Sequence, residues 1–398
     1  VTVSLSPPRL LTLLSLVAAL GCAGEDGSPD GLPNPPPAGE WIEVVPGGDT
    51  ICARGTEYRF FVRGGRSDRI IVDFQGGGAC WNRIFCSVGD ALFSDDTGDL
   101  DSFVASIDAG RVAGIFDPDP DSPFADWTIV HIPYCTGDIH WGDAFQDYGG
   151  GVTIEHRGFV NASAALDWVY SRFPSPENVF VTGCSAGAYG AALHSAYIGE
   201  HYPEASMSVL ADSGAGIITD SFLMDSLPNW NAEANLPTFI DGLDQPISEL
   251  TLPMLYTAIG RHFPEHRFAQ TATAYDADQI FFYEAMGGDA ADWPDLFRSS
   301  MVDIEGSLPN FRSYIPPGSM HCVTPYPFFA TREVDGQNLR DWASDLATGE
   351  MPESAACDGA ECCDDPVCDA CIGATDSWCR FCEDWPPTWS ECAAAPAP

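Results

Sequence analysis

Residues 179–193, VFVTGCSAGAYGAAL, constrain this chain more than any other stretch. Val179, Phe180, Val181 and Thr182 form a β-branched and aromatic run that reads as a buried strand. Ala188, Gly190, Ala191 and Ala192 follow as small residues at helical spacing. Between them, Gly183-Cys184-Ser185-Ala186-Gly187 is a Gly-x-Ser-x-Gly turn, which lifts a serine clear of the backbone between a strand and a helix. A turn that tight needs small neighbours, and Gly183, Ala186 and Gly187 supply them. Ser185 is therefore the candidate nucleophile; a glycine-rich strand–helix turn with a passive serine is the alternative.

The rest of the pattern agrees with such a strand–turn–helix unit. RIIVDF, WTIVHIPY, NVFVTG, SMSVLAD and RFAQTATAYD are short β-rich runs. Between two of them, IEHRGFVNASAALDWVYSRF carries Phe159, Leu166 and Val169 at helical spacing and is stopped by Pro174. Near-continuous apolar strands separated by helices predict an α/β fold, a mostly parallel sheet with helices on both faces. The expected organisation is a signal peptide over 1–22, a Pro/Gly-rich tether over 23–39, a catalytic domain over 40–349 and a Cys-rich tail over 350–398.

A serine at neutral pH needs a base and a group to orient that base. In sheets of this kind the chain order is serine, then acid, then histidine. AYDADQI places Asp276 at the end of a late strand, with Asp278 as a rival acid, and SMHCV places His321 on a loop after the last strand. His262 and His266 precede the acid and fit that order poorly. The oxyanion that develops during acyl transfer needs backbone N–H donors. VDFQGGGACWN leaves an early strand through Gly76-Gly77-Gly78, so Gly77 and Gly78, with Ala186 after the serine, are the expected donors; a plain tight turn is the alternative.

Charge narrows the partners. The net charge is −41, all 17 basic residues are arginine and there is no lysine. Such a surface repels nucleic acid and anionic membranes, and a bare polyuronate unless cations bridge it. Adaptation to salt or a compositional bias accounts for the charge better than a cationic partner does. Asp117, Asp119 and Asp121 alternate like calcium ligands but lack the glycine and terminal glutamate of a calcium loop, so a solvated acidic turn is expected. SFLMDSLPNW, with Phe222, Leu223, Met224, Leu227 and Trp230, is either an apolar wall of a site or plain core.

Leu10 to Leu20 is apolar but too short to span a bilayer, and Ala19-Leu20-Gly21-Cys22 resembles a lipoprotein cleavage site, with Cys22 as the lipidated residue and ordinary secretion as the alternative. Apart from Cys22, six cysteines lie in the body (Cys52, Cys80, Cys86, Cys135, Cys184, Cys322) and eight in the last 42 residues. Even counts in an exported chain predict disulfides, and this holds for the tail as well, although Cys368-x-x-Cys371 and Cys379-x-x-Cys382 have zinc-like spacing. Trp378, Trp385 and Trp389 of the tail either pack a small core or contact a polymer.

FQGGGACWN, GIFDPDPDSPFADWTIVHIPYCTGDIHWGD, HRGF, GCSAGAYG, ADSGAG and AYDADQI occur in the order found in the pectin acetylesterase/Notum family of α/β-hydrolases, and SMHCV resembles the acetylesterase branch. The resemblance covers roughly residues 40–345 and implies carboxylic ester hydrolysis with Ser185, Asp276 and His321 as triad. It also implies Cys80–Cys86 and Cys52–Cys135 disulfides. Ala79 departs from the aromatic residue that relatives carry after the glycines. With those bridges made, parity leaves Cys184 and Cys322, which flank the nucleophile and the base, for a third bridge if their side chains face each other.

The expected function is an extracytoplasmic serine esterase, secreted or lipid-anchored in the outer cell envelope, that removes acyl groups, O-acetyl above all, from a polysaccharide. It needs no metal or organic cofactor and is expected to be a monomer. The alternatives are a deacylase of longer fatty acyl groups, a serine peptidase, and a surface-anchored binding protein on a catalytically idle hydrolase fold.

Overall fold

A computed structural model describes residues 31–364. The expected signal segment with Cys22, and Cys368, Cys371, Cys379, Cys382, Cys392, Trp378, Trp385 and Trp389 of the tail, lie outside the described residues. Contacts divide the chain after Asn34, and the fold below is that of Pro35 onward.

A nine-stranded sheet organises this body. Its strands are β1 (Trp41–Val44), β2 (Phe60–Arg63), β3 (Arg66–Phe74), β4 (Trp127–Ile132), β7 (Asn178–Cys184), β8 (Ser206–Asp212), β9 (Arg267–Thr271), β10 (Phe311–Ile315) and β13 (Ala355–Ala356). They lie in the order β1-β2-β4-β3-β7-β8-β9-β10-β13. β1 and β2 pair antiparallel, as do β2 and β4, and every other neighbouring pair is parallel. Two hairpins stand apart from the sheet: β5 (Ala144–Asp147) with β6 (Thr153–His156), and β11 (Glu333–Val334) with β12 (Gln337–Asn338).

The apolar runs read from sequence are the central strands, buried on both faces. Ile70, Ile71, Val72, Ile129, Val130, Val179, Phe180 and Val181 are all 1% exposed or less. Burying one side chain of this size stabilises the fold by about 1.5–3 kcal/mol relative to leaving it in water. On one face Ile71, Ile129, Phe180 and Leu210 pack with Ile107 of α2 (Leu100–Asp108) and with Leu339, Trp342 and Leu346 of α9 (Leu339–Thr348). Elsewhere α4 (Ala186–His201) lies on β3, β7 and β8, and α3 (Gly158–Arg172) on β4. The remaining helices are α1 (Arg83–Ser87), α5 (Asp220–Asp225), α6 (Leu252–His262), α7 (Ala277–Ala285) and α8 (Trp293–Ser307). Among the described residues no helix is long and apolar enough to cross a membrane.

Local chemistry sets several of these ends. α3 stops at Arg172, with Phe173 held out of helical geometry immediately before Pro174. Asn338 caps α9 by accepting from the Arg340 and Asp341 amides, and Gly349 ends it at φ 112°. Asp117 and Asp119 turn their carboxylates onto the amides of Asp119 and Asp121, which makes that stretch a turn closed by its own side chains.

Two observations differ from the simplest expectation. β9 ends at Thr271, so Asp276 sits beyond the strand, as the N-cap of α7, whose Gln279 amide it binds at 3.0 Å. The sheet also runs past residue 350: β13 adds in parallel to β10, and the Cys357 amide donates to the Ile315 carbonyl. Four disulfides close described residues: Cys52–Cys135, Cys80–Cys86, Cys184–Cys322 and Cys357–Cys362.

Candidate active site

Ser185 occupies the junction between β7 and α4 at φ 57° and ψ −122°. This positive φ is costly for a residue with a Cβ and persists only where surrounding structure enforces it. The enforcement is visible. The Ser185 amide donates to the Asp212 carbonyl at 2.8 Å, and its carbonyl accepts from the Ala188 amide at 2.9 Å. A Cβ on Gly187 would strike the Phe74 carbonyl, and one on Gly76 would lie 2.5 Å from the Cys184 carbonyl and 2.9 Å from the Ser185 Cβ. The small residues around the serine thus let the turn press against the end of β3.

That contact brings in the glycine run. Gly78 has φ 72°, and a Cβ there would overlap the Leu92 carbonyl; a Cβ on Gly77 would lie 2.7 Å from the Ser94 hydroxyl. Gly76, Gly77 and Gly78 line the cleft, of about 760 Å³, that Ser185 and His321 also line. A smaller cavity of about 50 Å³ opens beside it between Gly78, Ser185 and Ala186, with Trp81, Phe222 and Trp230 in its wall. Phe222 and Trp230 therefore serve both readings of their segment, being buried and facing a cavity, whereas Met224 is 55% exposed.

His321 lies on the loop after β10. Its Nδ1 is 2.8 Å from Asp276 Oδ1 and 3.1 Å from Oδ2, and Asp276 is fully buried. Asp278 stands on the other side of the ring, with Oδ2 4.0 Å from His321 Nε2. Asp276 and Asp278 thus separate by which imidazole nitrogen they face. The two loops are stitched by Thr273, whose hydroxyl donates to the Met320 carbonyl at 2.9 Å, and by the Ala277 amide, which donates to Ser319 at 3.0 Å. Burial disfavours the imidazolium, but the carboxylates of Asp276, Asp278 and Asp212 outweigh it and push His321 up to about 9.

Residues that carried no assigned role in the sequence reading hold this arrangement. Asp212, fully buried at the end of β8, accepts from the Val323 and Thr324 amides at 2.7 Å each and from the Thr324 hydroxyl at 2.8 Å. Ser213, next to it at φ 56°, accepts the Cys322 amide through its hydroxyl at 2.9 Å. Burial raises the Asp212 carboxyl above its ordinary value, against the pull of those donors.

On the glycine side, Asp138 accepts from the Thr136 hydroxyl at 2.6 Å and from the amides of Gly158 at 2.7 Å and His140 at 3.2 Å. It thereby holds His140 at positive φ, while Ile139, also at positive φ, donates its amide to the Tyr134 hydroxyl at 2.8 Å; burial pushes the Asp138 carboxyl up to about 6. Burial keeps His140 down at about 3, hence neutral, and its Nε2–H donates to the Gln75 carbonyl at 2.9 Å. The signal for Asp138, His140 and Asp212 was present in CTGDIHWGD and ADSGAG, but no periodicity or spacing rule gives those strings a role. A second pair, His131 Nδ1 and Asp73 Oδ2 at 2.6 Å, bridges β4 and β3 at the cleft.

Cys184, His321 and Cys322 cluster closely enough to suggest metal ligands, as do Cys80, Cys86 and His156, but in both groups the sulfurs are joined in disulfides.

Residues 45–226 match the model of the pectinacetylesterase family. That span contains Ser185 and the glycine run and stops short of Asp276 and His321. The chain is 28% identical over 153 residues to pectin acetylesterase 5 of Arabidopsis thaliana, an alignment covering 38% of this chain and 35% of that protein. To pectin acetylesterase 4 of the same plant it is 27% identical over 153 residues, covering 38% of this chain and 36% of that protein. The chain thus spans about a third of the length of these relatives, and the similarity is to an esterase family.

Proposed function

We propose that the chain is an exported serine carboxylesterase that removes short acyl groups, O-acetyl above all, from a polysaccharide. The observation that carries this reading is the arrangement of His321: Asp276 takes one ring nitrogen, while the ring shares a cleft with a serine held at positive φ.

In the proposed reaction the Ser185 hydroxyl attacks the ester carbonyl. His321 Nε2 takes the hydroxyl proton as the bond forms and returns it to the departing sugar alcohol, leaving an acyl-enzyme. Asp276 keeps the imidazole oriented through Nδ1 and stabilises the imidazolium. The backbone N–H groups of Gly77, Gly78 and Ala186 bind the oxyanion. Water then repeats the sequence, giving its proton to His321, and the free acid leaves as Ser185 recovers its own. The chain's own residues supply every one of these roles.

The cavity of about 50 Å³ beside Ser185 suits the acyl group, because its wall contains the residues of two proposed oxyanion donors, Gly78 and Ala186. Trp81, Phe222, Trp230 and Phe282 wall this cavity, whose volume of about 50 Å³ favours acetyl over fatty acyl. The cleft of about 760 Å³ suits the alcohol side. The disulfides of the body fit an oxidising compartment outside the cytoplasm, with attachment through Cys22 as the lipid-anchored form of this proposal.

A p-nitrophenyl ester series from acetate to palmitate, with fluorophosphonate labelling, tests the reading. Turnover highest for acetate and a label on Ser185 are expected. A protein that neither labels nor turns over is the idle binding fold, and a preference for palmitate is the fatty deacylase.

A further inference from the structure

The cleft holding Ser185 and His321 is lined by three carboxylates, and the cations it offers against them are imidazoles already engaged by carboxylates, His321 by Asp276 and His131 by Asp73. Asp278, its side chain 32% exposed, lines it 4.0 Å from His321 Nε2. Asp99 is exposed at the α2 end of the cleft, where the Ser102 amide, donating at 2.8 Å, and the Ser102 hydroxyl hold its carboxyl below the usual range. Asp73 lies deeper, engaged by His131. On the loop that leads into α2, outside the cleft lining, Asp96 is exposed and Asp95 is paired with Arg54 at 3.3 Å. Among the described residues lining the cleft there is no arginine, and the chain has no lysine. The wall is otherwise partly apolar: Phe281, 46% exposed, presents its ring at the cleft.

A polyuronate carries a carboxylate on each sugar. Sites that hold such groups pair them with arginine or lysine, because a carboxylate leaving water needs a charge-assisted partner. Here a uronate next to the reacting ester would meet the Asp278 carboxylate, 4.0 Å from His321 Nε2, well inside the screening length of about 8 Å at physiological ionic strength. The charge of −41 over the whole chain adds a repulsion that acts before contact. A neutral sugar meets no such opposition, and its C–H faces can lie on an exposed aromatic ring such as Phe281.

We infer that the site selects uncharged acetylated glycans and rejects acetylated polyuronates. This rests on the esterase reading above and names its substrate class. The relatives are named for pectin, and the inference is that this chain differs from that name in its substrate.

The test uses the full chain and two polymers matched in length and O-acetyl content, an acetylated xylan and an acetylated polygalacturonate. A chelator is present so that no divalent cation bridges the carboxylates, and acetate release is followed at low and high NaCl. The expected kcat/KM is about tenfold or more higher on the xylan at low salt, with the gap shrinking as salt rises. Ser102→Arg, which places a cation at the α2 end of the cleft, should raise the polyuronate-to-xylan ratio. Equal rates, a preference for the polyuronate, no cleavage of either polymer, or a gap that ignores salt overturns the inference. Hydrolysis of p-nitrophenyl acetate, lost in Ser185→Ala, is measured alongside. Its absence sinks the esterase reading and this inference together, whereas its presence with a polyuronate preference sinks this inference alone.

Discussion

Cys184 and Cys322 are joined by a disulfide, their Cα atoms 5.7 Å apart and 138 residues apart in sequence. The bridge ties the residue before Ser185 to the residue after His321. Two further strands, β8 and β9, lie between β7 and β10 in the sheet, so the loop carrying His321 must reach back across them. The Ser213 hydroxyl and the Asp212 carboxylate, both at the end of β8, catch that loop on the way. The covalent link completes the crossing.

Replacing both cysteines, Cys184→Ala with Cys322→Ala, is therefore expected to lower stability by about 4 kcal/mol, given the long loop closed. Denaturant unfolding measures it. The expected fall in kcat exceeds any change in KM for p-nitrophenyl acetate, because proton transfer depends on the register between serine and histidine. Unreduced peptide mapping should yield a linked Cys184–Cys322 peptide; alkylation of both thiols after denaturation without reductant would refute the bridge.

Ser185→Ala should leave a folded protein and reduce ester turnover on the order of 10³-fold or more, by analogy with removal of other acyl-transfer nucleophiles. Turnover near that of the unaltered protein would remove the serine from the mechanism.

Asp276→Asn should reduce kcat far more than Asp278→Asn, since only Asp276 meets Nδ1. His321 must be neutral to accept a proton, and the surrounding carboxylates push it up to about 9. The kcat/KM profile should accordingly rise with pH through a midpoint above the ordinary imidazole value of about 6.5. Removing the Asp278 charge destabilises the imidazolium, so Asp278→Asn should move that midpoint to lower pH. A midpoint that stays in place, or moves up, contradicts the assignment of the limb to His321.

Asp212→Ala leaves three donors of Val323 and Thr324 without their acceptor. The expected loss is roughly 3 kcal/mol or more of stability, with a fall in kcat as the His321 loop loosens. Asp212→Asn keeps an acceptor oxygen and should recover most of the stability. If Asn and Ala behave alike in thermal unfolding, the carboxylate is not what holds the loop.

Truncation is expected to depend on where the cut falls. Deletion from residue 350 removes β13 and the Cys357–Cys362 bridge, exposing the edge of β10 and the Ile315 carbonyl that Cys357 satisfies. That deletion should lower the unfolding midpoint measurably, whereas deletion from residue 365 should leave hydrolysis of small esters intact. Equal stability of the two truncated proteins would show that the β13 addition contributes nothing.

The central strands and the turn at Ser185 were legible in the sequence because each is a local property. Runs such as RIIVDF and NVFVTG declare themselves by composition, and the turn by the small residues that steric contact at Ser185 demands. Chain order pointed to Asp276 and His321 on the same ground, as residues placed near strand ends. Tertiary structure decided what depends on relative direction. Whether Cys184 and Cys322 face each other follows from a loop crossing two strands, which no count of cysteines contains. Which carboxylate meets which imidazole nitrogen follows from Asp276 capping α7 while Asp278 lies within its first turn, a difference of two residues that reverses their positions around the ring. The parts played by Asp212, Asp138 and His140 stayed hidden for a related reason. Their partners are backbone amides and carbonyls, which every residue possesses, so only the folded path of the chain selects the ones they bind.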